Sequence, residues 1–251
     1  MRFSFVSVIV FFTIFFPLAV VVLLGLAPRW GYEIIPIDYS LTWWSMLLQP
    51  KFLRAIQNTT IVSGAAVALS VAFGVYVSYI LTFYQFRGKE LLSVLVMSPL
   101  YVASIVIALG LLAVFALLRN TPWILVMGLF IVVIPIAFRP IYAVMQKIDR
   151  NLIEAAESLG ASRFTILVKI ILPLSKSGII AGVALAVGLS MSEIGVVILL
   201  YGPSWYTMAV QIFTESQRGF VGVAAAMGTL LILIATAAII IVHRLRVEIV
   251  T

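Results

Sequence analysis

Few residues in this sequence have side chains that could do chemistry, and one group of them stands around Glu193. This glutamate lies inside a long apolar run with Ser190, Ser192 and Gly195. Ser190 and Glu193 are predicted to share one helix face. A carboxylate at such depth is costly in hydrocarbon, so it should face protein or a water-filled cavity. The group is therefore predicted to line a translocation pathway or gate; the alternative is a protonated or hydrogen-bonded carboxyl that only fixes helix packing.

A second polar group, residues 154–162, stands between two apolar runs. Asn151 and Glu154 have the spacing of an N-cap pair that opens a helix, and Gly160 is predicted to close it in the left-handed conformation. Ser162 is predicted to cap the next helix. One apolar side is predicted, formed by Leu152, Ala155, Ala156 and Leu159. By periodicity alone, the helix could lie on the bilayer surface or dock on a partner.

The residues that most enzymes use are absent from this sequence. It has no cysteine and a single histidine, His243, which stands beside Arg244 at the end of the last apolar run. Neither the Walker A pattern nor the Gly-x-Ser-x-Gly pattern occurs. We therefore expect no catalytic residue, no metal site and no cofactor bound by this chain.

The composition indicates an all-α membrane protein. Hydrophobic residues make up 64% of the 251 residues and charged residues only 10%, which is far from the balance of a soluble domain. Several apolar runs reach the roughly 20 residues that a helix needs to cross the hydrocarbon core. They do not alternate as the strands of a membrane barrel would. The net charge of +7 follows membrane orientation, so a nucleic-acid partner is not expected.

Six transmembrane helices are predicted in a single transmembrane domain, 1–251. The first run could be mistaken for a secretory signal, but its length favours a retained span. An aromatic outer loop is predicted at 28–55 and a polar cytoplasmic loop at 146–172. The predicted spans cover about residues 3–27, 56–84, 91–117, 123–145, 173–200 and 219–242.

The basic residues predict the orientation of these spans. Eleven of the 16 lysine and arginine residues fall on one side of the predicted membrane. The side richer in lysine and arginine is expected to be cytoplasmic. Both termini and the loop at 146–172 should therefore face the cytoplasm. The five basic residues on the other side are Arg29, Lys51, Arg54, Arg119 and Arg218.

The polar loop also carries a family resemblance. Glu154-Ala155-Ala156, Gly160 and Ile170-Ile171-Leu172-Pro173 resemble the loop of the permease subunits of binding-protein-dependent ABC importers of type I. The resemblance implies a coupling helix that sits in a cleft of a cytoplasmic ATPase. It also implies two copies of that ATPase, which bind the ATP and magnesium, a second permease copy or similar chain, and an external solute-binding protein. The ATPase-coupling residues would be Glu154, Ala155, Ala156, Glu157, Leu159 and Gly160.

Two further segments resemble different branches of this family. Residues 192–197, Ser-Glu-Ile-Gly-Val-Val, are similar to a segment of oxyanion and ferric-iron permeases, although isoleucine replaces an aromatic residue at Ile194. Residues 202–205, Gly-Pro-Ser-Trp, look like a segment of polyamine permeases. The resemblance therefore implies a small charged solute: a polyamine, a metal ion, or an oxyanion such as molybdate, tungstate, sulfate or phosphonate.

Two other classes of membrane protein were weighed against an ABC permease. A secondary transporter or channel that works without ATP should show internal two-fold repetition. The segment Glu154-Ala155-Ala156 has no second copy in the other half of the chain, which counts against that class. An intramembrane enzyme lacks its catalytic groups here. The sequence therefore favours the membrane subunit of an ATP-driven importer.

Overall fold

A computed structural model describes residues 5–28, 30 and 36–248 of this chain. The start of the predicted first span at residue 3 lies outside the described residues. So do residues 29 and 31–35 of the predicted outer loop, and the side chain of His243.

All regular structure in these described ranges is helical, as the apolar runs predict. Two short 3-10 helices, Ser98–Tyr101 and Ala116–Leu118, and one π-helix, Leu167–Ile171, interrupt the α-helices. The α-helices are α1 Phe5–Leu26, α2 Thr42–Met46, α3 Pro50–Phe83, α4 Lys89–Met97, α5 Ser104–Phe115, α6 Pro122–Met145, α7 Arg150–Ser158, α8 Arg163–Ile166, α9 Leu172–Leu174, α10 Lys176–Ser192, α11 Val197–Leu200, α12 Met208–Gln217 and α13 Val221–Glu248.

The described part of the chain divides into two compact units, of which the first comprises the described residues of 5–58 and 206–234. Its buried cluster joins Phe52 of α3, Met208 of α12 and Ala226 of α13. Among the described residues of this unit, Glu215 is a buried carboxylate, and its Oε1 lies 3.0 Å from the Lys51 Nζ. Because a buried charge is tolerated only with a partner, this ion pair fastens α12 to the start of α3.

The second unit comprises the described residues of 59–205 and 235–248 and contains α6, of whose 24 residues 12 are buried. Helix α10 packs closely on α6 through Gly178 and Gly182. A Cβ at Gly178 would lie 2.7 Å from the Pro140 carbonyl oxygen, and one at Gly182 would lie 2.8 Å from that of Ala137. Small residues at such positions let helix backbones approach where lipid gives no hydrophobic driving force. This glycine pair therefore packs inside the chain.

One predicted span, 91–117, is bent, and a second bend lies at the start of the predicted span 173–200, where a helix from the predicted loop 146–172 continues into it. The helices Lys89–Tyr101 and Ser104–Leu118 meet at 104°, and Arg163–Leu174 and Lys176–Ser192 meet at 71°. Pro173 cannot donate to the carbonyl of Lys169, and the five residues Leu167–Ile171 form the π-helix just before it. By length and composition, four described helices could cross a membrane, or up to six if each bent pair is one span.

Candidate functional site

Helix α7 begins two residues earlier than the predicted cap implies, because its N-cap is Asp149 and not Asn151. The Asp149 side chain accepts a hydrogen bond from the Asn151 backbone N–H at 3.0 Å, so Asp149 is the N-cap. The prediction that Asn151 and Glu154 cap this helix was wrong. Aspartate is as good an N-cap as asparagine, and here the aspartate comes first in the chain. Asn151 then supplies the donor instead of the acceptor.

The end of α7 agrees with the sequence prediction. Gly160 has φ +81°, its N–H donates to the Glu157 carbonyl at 2.9 Å, and the Ala161 N–H donates to the Ala156 carbonyl at 3.0 Å. These two bonds form a Schellman motif, which satisfies helix carbonyls that have no partner within the helix. The Ser162 side chain then accepts from the Thr165 N–H at 3.2 Å and caps α8. The predictions for Gly160 and Ser162 are thus confirmed.

The residues of the predicted apolar side of α7 do not all face the same way: one packs against the chain and the others are exposed. Ala156 is half-buried and packs against the chain together with Ile153, which does not belong to the predicted apolar side. By contrast Leu152 is 51% exposed and Leu159, the C-cap, is 89% exposed, while Ala155 is exposed beside them. No residue of α7 is buried. This short helix therefore presents leucine and alanine outward, with Glu154 and Glu157 also exposed.

The N-cap can be tested by two matched substitutions. We expect Asp149→Ala to destabilise α7 by about 1 kcal/mol, because one helix N–H loses its acceptor. Amide hydrogen exchange along α7 should then be about five times faster. Asn151→Ala is the control, since it keeps the backbone N–H that donates to Asp149. A larger acceleration in Asn151→Ala than in Asp149→Ala would contradict this assignment.

The residues predicted to line a pathway lie at a break in the helix. Helix α10 ends at Ser192, and Glu193 is extended, with φ −68° and ψ 119°. The prediction that Ser190 and Glu193 share one helix face was therefore wrong. The Glu193 Oε1 accepts a hydrogen bond from the Val196 N–H at 3.1 Å. The break leaves the Val196 N–H available, and the hydrogen bond from this N–H stabilises the acidic side chain of Glu193.

Two serines from other helices contact this break. The Ser63 Oγ of α3 donates to the Ser190 carbonyl at 3.2 Å, while the buried Ser190 Oγ has no hydrogen-bond partner in the structure. Ser192 is exposed, and its Oγ donates to the Gly188 carbonyl at 2.9 Å. A Cβ at Gly195 would overlap the Ser104 Oγ of α5.

The structure places the predicted residues in two separate groups. One group lies on and just after α7, and the other lies on the last residues of α10 and the break. Ser63 and Ser104 were missed, because nothing local in a single sequence marks residues that meet across helices. Within the described ranges, no cluster of three or more histidine, cysteine or acidic residues could hold a metal ion.

Comparison with known proteins places these features in a family. A family model described as "Binding-protein-dependent transport system inner membrane component" matches residues 70–247. The spermidine/putrescine transport system permease protein PotC of Escherichia coli K12 is 31% identical over 209 residues, which are 80% of this chain and 78% of PotC. The permease PhnV of Salmonella typhi, whose name assigns it to 2-aminoethylphosphonate transport, is 29% identical over 230 residues, 90% of this chain and 86% of PhnV.

Solved structures show the same fold. A bacterial ABC transporter involved in the import of the acidic polysaccharide alginate has a chain that superposes with a TM-score of 0.79. The identity is 18%, and the superposition covers 98% of this chain and 94% of the other. The alginate transporter in complex with an alginate pentasaccharide-bound periplasmic protein gives a TM-score of 0.74 at 19% identity, covering 94% and 90% of the two chains.

These likenesses agree with the all-helical architecture and the apolar helices. The fold is that of a type I ABC importer permease. The family match covers well over half of the chain, and the similarity to PotC covers 80% of it. The protein is a multi-pass inner-membrane protein. It belongs to the family of inner-membrane components of binding-protein-dependent transport systems and is a permease subunit of an ABC importer.

Proposed function

We propose that this permease is driven by two copies of a separate cytoplasmic ATPase and works beside a second permease copy or a similar chain. The full sequence has no Walker A pattern to hold nucleotide phosphates. ATP and magnesium would then bind to the partner ATPase, and this chain would bind no cofactor. Its own part is to form the translocation pathway and to receive the motion of the ATPase.

Helix α7 is proposed as the coupling helix. The observation that carries this proposal is a short helix closed by caps at both ends whose leucines are exposed, with Leu159 at 89%. Burying a leucine side chain contributes roughly 1.5 to 3 kcal/mol, so docking on a partner would stabilise this face. The docking residues would be Glu154, Ala155, Glu157, Leu159 and Gly160, whereas Ala156, which the resemblance also implies, packs against the chain.

The break after α10 is proposed to line the pathway through Ser190, Ser192, Glu193 and Gly195. Non-helical backbone at membrane depth is tolerated where it is buried in protein or lines a water-filled cavity. Residues 193–196 form such a segment between α10 and α11, and Ser192 beside it is exposed. Six membrane crossings, with each bent pair counted as one, would leave both chain ends on the same side.

The cytoplasmic side is proposed to hold both termini and α7, because lysine and arginine concentrate there in the sequence. An external binding protein would deliver the solute on the other side. One of the similar solved transporters is in complex with its periplasmic protein. For this chain we propose a small charged solute: a polyamine, a metal ion or an oxyanion such as a phosphonate. The name of PotC supports a polyamine, and the name of PhnV supports a phosphonate.

Reconstitution tests this function. The permease would be purified with its ATPase, placed in proteoliposomes and supplied with its binding protein and labelled putrescine or 2-aminoethylphosphonate. We expect uptake of one probe only when ATP is present on the ATPase side. Uptake by the purified chain without nucleotide would contradict the proposal and indicate a transporter that works alone. A non-hydrolysable ATP analogue is the control for nucleotide binding without hydrolysis.

A further inference from the structure

The first residues of α7 and α8 both contact the C-terminal end of α3. Arg150 is the first residue of α7, and its Nη2 donates to the Thr82 carbonyl at 2.9 Å. Arg163 is the first residue of α8, and its guanidinium lies 5.5 Å from the centre of the Tyr84 ring, with Nη1 at 3.5 Å from the Tyr84 Oη. Thr82 lies in the last turn of α3, which ends at Phe83, and Tyr84 follows directly after it.

The Arg150 hydrogen bond satisfies a backbone carbonyl at the end of α3 that has no partner within that helix. The last four carbonyls of a helix have no partner within it, and a cation at that end also interacts favourably with the helix dipole. In α3 the Ile80 carbonyl accepts from the Tyr84 N–H at 3.1 Å, whereas the Thr82 carbonyl accepts from Arg150. This side chain therefore completes the end of α3 from a different segment of the chain.

The Tyr84 ring that Arg163 contacts is itself in contact with Tyr79. The Tyr84 Oη lies 3.3 Å from the Tyr79 Oη, and the two rings meet edge to face with centres 5.6 Å apart. A guanidinium over such a ring gains a cation–π attraction. Tyr84 therefore connects Arg163 to Tyr79, which lies within α3.

Close packing supplies only part of the connection between α7 and α3. Ile153 and Ala156 pack against the same buried cluster as Tyr79 and Phe83. A cavity of about 280 Å³ nevertheless remains, lined by both arginines and both tyrosines. The two arginines lie at the edge of this cavity and add polar contacts to the apolar packing.

We propose that Arg150 and Arg163 are positioning residues that tie the start of α7 and the start of α8, which follows the turn at Gly160, to α3, so that movement of α7 displaces α3 directly. The inference rests on the proposed coupling role of α7 and names the span that receives the movement. Chain connectivity alone would pass motion only to α6 before the loop and to α10 after it. Packing of Ile153 and Ala156 reaches α3 as well, and the arginines add polar contacts to this helix, which also carries Ser63 at the break after α10.

The test distinguishes binding of the ATPase to the permease from transmission of the ATPase's movement to solute transport. The complete transporter would be reconstituted with its binding protein, and uptake per ATP hydrolysed would be measured with the probe, putrescine or 2-aminoethylphosphonate, that the wild type takes up. For the double variant Arg150→Ala and Arg163→Ala we expect normal copurification of the ATPase and continued hydrolysis. Uptake per ATP should fall about tenfold, the size of a typical coupling free energy between sites.

Three further variants test the role proposed for the two arginines. Arg150→Lys with Arg163→Lys keeps a cation at both places and should restore much of the uptake. Tyr84→Leu removes the ring on the α3 side, leaves both arginines in place and should lower uptake per ATP as well. Arg87→Ala is the matched control, since Arg87 is an exposed cation on the next turn of the chain. It should match the wild type.

The outcomes that overturn the inference are distinct from those that overturn the proposed function. Unchanged uptake per ATP in both the arginine double variant and Tyr84→Leu would show that α3 is not driven through these contacts. Loss of the ATPase from the double variant would show that the arginines act in docking, which also contradicts a positioning role. If no ATPase copurifies even with the wild type, the coupling role of α7 fails instead.

Discussion

Gly160→Val is expected to reduce the amount of ATPase that copurifies with the permease by about 30-fold, while the chain still inserts in the membrane. Gly160 has φ +81°, and a Cβ there would meet no atom within 4 Å, so the substitution acts through backbone strain and not through a clash. A non-glycine residue held in this conformation costs roughly 2 kcal/mol, which corresponds to about 30-fold in an equilibrium constant. Relief of that strain would undo the Schellman motif and move Leu159.

Two controls make this prediction specific. Gly160→Asn should retain most of the ATPase, because asparagine tolerates the left-handed conformation better than other side chains do. Gly88→Val places the same residue type at φ +94° with equally open surroundings, but outside the coupling loop, and should retain the ATPase fully. Copurification of the ATPase with Gly160→Val at the wild-type level would count against the coupling role. Equal losses in Gly160→Val and Gly88→Val would point to a general folding defect.

Gly195→Ala is expected to show the opposite pattern: the ATPase stays bound, and solute uptake falls about tenfold. A Cβ at residue 195 would overlap the Ser104 Oγ and would lie 3.1 Å from the Glu193 Oε1. Overpacking of this kind costs about 1 to 3 kcal/mol and would displace the break that we propose to line the pathway. Uptake and copurified ATPase would be measured on the same preparation.

Ser104→Ala supplies the matching rescue for this variant. Removing the Ser104 hydroxyl leaves its Cβ at 3.4 Å from the position of the added Cβ, which is ordinary contact. The double variant Gly195→Ala with Ser104→Ala should therefore recover most of the uptake, and the two substitutions should be strongly non-additive. Additive losses would show that the close approach of α5 to the break is not what limits transport.

Local backbone chemistry explains which features could be predicted from the sequence. Gly160 and Ser162 behave as predicted because a helix end depends on a few neighbouring residues whose conformational preferences are strong. The wrong cap at Asn151 has the same local origin. Asp149 is an equally good acceptor two residues earlier, and the helix begins at the first of the two.

Features that depend on distant residues could not be predicted in this way. The largely apolar run 173–200 does not show that α10 stops at Ser192, because Ser104 of α5 approaches the break from a distant part of the sequence. The periodicity of α7 likewise could not say which apolar residues face the chain. Ile153 and Ala156 do so because Tyr79 and Phe83 of α3 reach the same buried cluster.

Site-specific labelling tests the central claim, that α7 is a cytoplasmic helix held by an ATPase, most directly. The chain has no cysteine, so Ser158→Cys on the exposed surface of α7 introduces a unique thiol. A membrane-impermeant maleimide should label it in inverted vesicles only, and bound ATPase should protect it. Leu48→Cys, which is exposed in the predicted outer loop, should be labelled from the opposite side. Labelling of Ser158→Cys from outside, or at the same rate with and without the ATPase, would contradict the account.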